Sequence, residues 1–136
     1  MANAMYDHGL ENFATKKIDW VGDDIRIILV DEDDDAPDLA NDEDLADRLL
    51  ASRVAVSAAS IAGKSCAAGV CDGTDHTIAA VTGDQFESLD FYLHTGVEGT
   101  SLLICNIDNA TGLPCTPNGG DIDIEFDGGA NKIFKL

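Results

Sequence analysis

Basic residues are scarce in this chain: 8 Lys and Arg stand against 26 Asp and Glu, a formal charge of −18 over 136 residues. Such a field repels phosphate backbones and anionic headgroups, and no Lys/Arg cluster overrides it, so neither nucleic acid nor a membrane is an expected partner. Long apolar runs are missing as well. The stretch Ile27 to Val30 falls far short of the ~20 residues a membrane-spanning helix needs. The start, Met1 to His8, has neither the basic opening nor the apolar stretch of an export signal, which predicts a product made and kept in the cytoplasm. Aromatics are few, at 6%, yet 45% of residues are apolar. A chain of this length can then bury roughly two-thirds of its unfolded surface, which excludes disorder and predicts one domain over 1–136.

The familiar chemical motifs are also missing. Cys66, Cys71, Cys105 and Cys115 lack the C-x₂-C spacing that sets two thiolates on a zinc ion. In a reducing compartment the expected state is four buried thiols, with a later bridge as the alternative and Cys66 with Cys71 as its first candidate pair. Gly63-Lys64-Ser65 resembles the end of a phosphate-cradling loop, but Ala58 stands where that loop requires its first glycine. No G-x-S-x-G elbow occurs, and Asp75-His76 and His94 read as surface residues rather than an acid-base pair. Asp31, Asp33 and Asp35 alternate as in a calcium loop, yet Ala36 replaces the turn glycine and Asp42 the bidentate Glu, so an EF-hand is excluded. Cation binding by the acidic run outside that motif stays open. Asn109-Ala110-Thr111 matches a glycosylation sequon and, without an export signal, carries no weight. No catalytic residue, cofactor or metal ligand is assigned, and the chain is not expected to be an enzyme.

What is present is β-prone texture between turn residues. Ile25 to Val30 reads as a buried strand. Further strands are expected at Val54 to Ser57, Thr77 to Val81, Glu87 to Leu93, Ser101 to Ile107, Asp121 to Phe126 and Lys132 to Lys135. Ile122, Ile124 and Phe126 alternate with Asp121, Asp123 and Glu125, the signature of a half-buried strand with its acid side to water. The glycines of His94 to Thr100 predict a hairpin there, and 116–120 and 127–131 are turn chemistry. Between Asp31 and Asp44, nine of fourteen residues are acidic and Pro37 interrupts, which predicts a solvated loop. Asn41 then reads as the N-cap of a short helix over 42–50. A second short helix is expected over about 4–15, weakened by Gly9. The fold class is therefore mainly β, an antiparallel β-sandwich or barrel-like sheet with one or two short helices.

Three stretches carry a family likeness: Met1 to Tyr6 running on to Phe13; Ile18-Asp19-Trp20 leading into Ile25 to Asp31; and Asp108 to Leu136, with its TGLPxTPNGGD and GANKIFKL strings. In these the chain resembles a family of small tailed-bacteriophage virion proteins, variously labelled structural, head-decoration or tail-associated. The acidic 31–44 segment and the cysteines depart from that pattern. The resemblance implies a non-enzymatic part present in many copies on a particle. A shell interior faces packaged DNA, which −18 per copy would repel, so the capsid exterior is the expected location. The expected partners are the major capsid protein and copies of itself, as a trimer at three-fold or quasi-three-fold positions, attached by an edge strand or an arm. Residues 1–20, with Met5, Tyr6, Phe13 and Trp20, are the candidate arm; the same residues read equally as a helix packed on its own sheet. Alternatives are a tail or head-fibre component and, in a different class, an ion- or carbohydrate-binding module built on loops 31–44 and 108–120.

Overall fold

A computed structural model describes residues 3–129 and 132–136. Met1 and Ala2 of the expected arm, and Ala130 and Asn131 of the last expected turn, lie outside the described residues. The fold is mainly β and antiparallel, sandwich-like, with one short α-helix. In chain order the elements are β1 (Ala4–Met5), α1 (Asp7–Ala14), β2 (Ile25–Val30), β3 (Arg53–Val56), β4 (Ser65–Ala67), β5 (Val70–Asp72), β6 (His76–Ile78), β7 (Ser88–Leu93), β8 (Leu103–Ile107), β9 (Ile122–Ile124) and β10 (Phe134–Lys135). A five-stranded sheet runs β1-β8-β7-β2-β3, opposed by a three-stranded sheet β10-β5-β4 and the pair β6-β9.

Alternation along the central strands explains the layers. Ile25, Ile27 and Leu29 of β2, with Leu89, Phe91 and Leu93 of β7, face the smaller sheets and meet Cys71, Ile78, Ile124 and Phe134 in the main core. Ile28, Val30 and Tyr92 point the other way and form a second cluster with Tyr6, Leu45 and Leu103. Both faces of the central strands are thus covered, and every residue of β7 is buried. The expected hairpin is present, since β7 pairs β8 antiparallel across the 94–101 loop. On β9, Ile124 is buried while Asp123 is exposed, and Ile122 and Phe126 pack against the core.

Two expectations give way to tertiary contacts. The helix over 42–50 is replaced by two 3-10 turns, Leu45–Asp47 and Leu50–Ser52, the first capped not by Asn41 but by Asp44, whose side chain accepts from Ala46 N–H at 2.8 Å. Arg48 stands between the two turns in extended backbone, φ −99° and ψ 123°, with its side chain buried, while Leu49 and Leu50 of the expected apolar stripe remain exposed. A hairpin made of β4 and β5 also appears outside the runs named as strands, its two strands being three residues each.

The amino-terminal segment takes the packed form of its two readings. Tyr6 is wholly buried, Trp20 is 3% exposed, and Met5 and Phe13 pack against the main core. Trp20 Nε1 donates to the Asp72 carbonyl at 3.0 Å and its ring meets Phe134 edge-on, with centroids 5.0 Å apart. Gly9 is the reason α1 can sit there: a Cβ at this position would lie 2.6 Å from the Ile104 carbonyl oxygen of β8. The glycine that weakens the isolated helix is what allows it to dock. Gly9→Ala should therefore destabilise the protein by about 1–3 kcal/mol through overpacking, despite alanine's better helix propensity. Leu10→Ala, at an exposed neighbour, should change stability by less than ~0.5 kcal/mol. Urea unfolding of the two variants checks this; a Gly9→Ala protein as stable as the parent would mean that α1 is not seated on β8.

Candidate functional site

The strongest concentration of polar chemistry lies beneath the acidic loop. Asp90, in the middle of β7, has no exposure to water. Its carboxylate accepts from Tyr6 Oη at 2.7 Å, Asn106 Nδ2 at 2.9 Å and Arg48 Nε at 3.2 Å. Asn106 also donates to Ser88 Oγ at 3.1 Å. Burial pushes the Asp90 carboxyl up, against the pull of the Arg48 guanidinium and the hydrogen bonds from Asn106 and Tyr6. Burial, with Asp90 alongside, likewise pushes the Tyr6 phenol up. All three groups around Asp90 are donors, so each bond is charge-assisted.

Arg48 connects this buried centre to the surface loop. Its Nη1 lies 3.2 Å from Asp35 Oδ2 and 3.3 Å from Asp42 Oδ2 and donates to the Ala36 carbonyl at 3.2 Å, while Nη2 donates to the Asp35 carbonyl at 3.1 Å. The loop expected to be merely solvated is therefore tied to the core by one guanidinium. Acids of the loop and just beyond it also serve the backbone: Asp38 caps the amides of Ala40 and Asn41, Asp42 that of Asp38, and Asp47 those of Glu43 and Asp44. Arg48, Asp90 and Asn106 escaped sequence reasoning. The available signal was an acid at the centre of an apolar strand, Ser88 to Leu93.

The residues singled out by motif are dispersed. Gly63 makes a left-handed turn, Lys64 Nζ donates to Ser60 Oγ at 3.0 Å and the Ile61 carbonyl at 3.2 Å, and Ser65 opens a strand rather than a helix, so no phosphate cradle forms. His76 Nε2 is 2.9 Å from Ser57 Oγ, a contact the sequence did not suggest. That serine is buried and also accepts from the Ile27 amide, and Asp75 caps Phe126 N–H instead of orienting the imidazole. Burial lowers the His76 pKa. His94 lies apart, against Tyr92 Oη at 3.3 Å. Asp31 and Asp33 converge not with Asp35 but with Glu87, and Asp31 also with Asp34 and Asp84; in each group carboxylate oxygens lie within 4.8 Å of one another, close enough for a hard cation. The β6 to β7 connection, invisible as a partner in the sequence, completes that group.

An open groove of about 900 Å³ runs between the large sheet and the carboxyl-terminal strands, floored by Phe86, Leu89, Phe91, Ile107 and Ile124. Asp121, Asp123, Glu125 and Asp127 border it. No protein-family model and no curated protein matches this chain.

Replacing Arg48 with alanine should cost about 3–5 kcal/mol, because it leaves the Asp90 carboxylate buried without its cation. Thermal unfolding of Arg48→Ala checks this, and near-parental stability would show that the guanidinium contributes little. The pH response is the second consequence. Asp90, Asp42 and Glu87 are all held above the usual carboxylate range by burial, and the Asp31, Asp33 and Glu32 carboxylates add to the effect at Glu87. Such groups bind a proton more tightly in the folded state, so their contribution is fully present below the unfolded pKa and is lost as pH rises through the folded one. Asp24 and Asp38, held down by hydrogen bonds from Arg26 and Asn41, and His76, held down by burial, have the opposite sign and lose their contribution as pH falls. The melting temperature should therefore rise on acidification from neutrality and turn over only near the ordinary carboxyl pKa of about 4. A melting temperature that falls steadily from neutral pH downward would contradict this.

Proposed function

We propose that this protein decorates the exterior of a tailed-bacteriophage capsid, bound to the major capsid protein and to further copies of itself and stabilising the shell. The observation that carries the reading is the outer edge of the large sheet. β3 ends the strand order, and Val56 on it is 41% exposed. Just before it, Leu49 and Leu50 are 58% and 75% exposed. The Arg53–Glu98 ion pair draws the 94–101 loop, with exposed Val97, to the start of this strand. An unpaired edge with large apolar side chains offers both backbone hydrogen bonds and apolar area to a neighbour. With Met5, Tyr6, Phe13 and Trp20 committed to the core, this edge takes over the attaching role that the sequence offered to the amino-terminal arm.

Two further considerations support the reading. The Asp108 to Leu136 strings resemble those of phage virion proteins, and a charge of −18 suits a surface turned away from packaged DNA. Repetition on a lattice then amplifies modest single contacts, since each bound copy raises the effective concentration of its neighbours' sites.

The test is attachment of purified protein to capsids that lack it. The parent protein should bind saturably in hundreds of copies, a number set by the lattice. Leu50→Asp and Val56→Asp should each weaken attachment by roughly tenfold or more while leaving the melting temperature within a few degrees, because both side chains already face water. Binding untouched by both changes would remove the edge from the interface. A census of intact particles showing tens of copies, or location at the tail, would replace the reading by a tail or fibre component.

A further inference from the structure

The segment Ser65 to Asp72 reverses through Ala68 and Gly69, whose φ angles are +51° and +81°. Two consecutive left-handed residues between paired strands make the two-residue turn whose twist suits a hairpin. In such a turn the closing pair, Ala67 with Val70, exchanges backbone hydrogen bonds. The next pair outward is Cys66 with Cys71, directly opposite in register, and there the strands exchange none. The Cys71 carbonyl confirms the phase: it turns away from Cys66 and accepts from Ile133 N–H at 3.1 Å. Opposed residues at such a position have Cα atoms about 4.5 Å apart and side chains on one face, inside the range a disulfide spans.

The two thiols differ in access. Cys66 is exposed and Cys71 has no exposure to water. Burial and a hydrogen bond with Cys66 push the Cys71 thiol up, so the outer thiol is the one placed to react first with a solute. The other cysteines are free and differently opposed: Cys105 faces Met5 and Phe91 across its strand neighbours, and Cys115 bridges to Phe86.

We infer that Cys66 and Cys71 form a modification site at which a low-molecular-weight disulfide converts the two thiols into a cross-strand disulfide. Cys66, as thiolate, attacks one sulfur of the reagent, breaking its S–S bond and releasing one thiol that takes up the proton Cys66 lost. The product is a mixed disulfide on Cys66. Cys71 then gives up its proton and attacks the Cys66 sulfur, forming the Cys66–Cys71 bond and expelling the second thiol. The protein loses two electrons and two protons, and the reagent is reduced to two thiols. The buried partner makes the second step the slower one, and it accelerates with pH as thiolate becomes available. Closure would clasp the hairpin on which the carboxyl terminus rests, since Cys71 and Gly69 accept from Ile133 and Leu136. This site does not depend on where the protein attaches.

The experiment treats the full-length protein with oxidised glutathione, reads its intact mass, then alkylates it in denaturant and reads the thiol count and peptide maps. The expected product is lighter by a pair of hydrogens, has lost two of its four alkylatable thiols, carries a Cys66–Cys71 linked peptide and is restored by dithiothreitol. Cys71→Ser should stop at the glutathione adduct on Cys66, and Cys66→Ser should form neither adduct nor bridge in this hairpin. A parent protein that stops at the adduct, that bridges through Cys105 or Cys115, or that leaves Cys66 unmodified overturns the inference.

Discussion

A carboxylate shut away from water organises this molecule. Asp90 sits at the centre of the large sheet, and an unpaired charge there would cost more than most single packing contacts return. Its three donors come from three separate parts of the chain: Tyr6 from the amino-terminal segment, Arg48 from beyond the acidic loop and Asn106 from the neighbouring strand β8. Satisfying one carboxylate thus brings those parts into one register. Asp35 and Asp42 then close over the far side of the same guanidinium, so the loop that carries much of the negative charge is bound to the buried Arg48–Asp90 contact.

That arrangement explains how so acidic a loop keeps a defined shape. Carboxylates are acceptors without a proton to give, and a loop of them has many backbone amides needing partners. Asp38, Asp42, Asp44 and Asp47 each take amide donors within a few residues, which converts like-charge crowding into a chain of local turns. Asp31, Asp33 and Glu87 also face one another, with Asp31 and Glu87 taking the amides of Asp33 and Glu32.

The division between inside and outside bears on function. Aromatic residues that looked free to reach a partner are spent on the protein's own interior, where Trp20 and Phe13 meet Phe134 and fasten the two chain ends together. Of the large apolar side chains left exposed among the described residues, Leu49, Leu50, Val56 and Val97 lie on or near the edge strand β3, and Leu10, Val21 and Leu136 stand elsewhere. On a body this negative, such an edge is the place where contact with another protein is least opposed by desolvation.

Seven of the ten strands among the described residues were legible from local pattern, and β1, β4 and β5 were not. The β-branched run of Ile25 to Val30 emerges as β2 with the same limits, and the alternation at Ile122 and Ile124 correctly orients β9, because side-chain period and backbone pleat are set within a few residues. The mainly β class follows from the same short-range signals. Tertiary structure alone decided that Gly9 seats α1 on β8, that Arg48 turns inward between two tight turns, and that Glu87 joins Asp31. Each of these depends on a distance between residues whose separation along the chain says nothing of their separation in space, or on a buried charge whose partner is chosen only when the layers close.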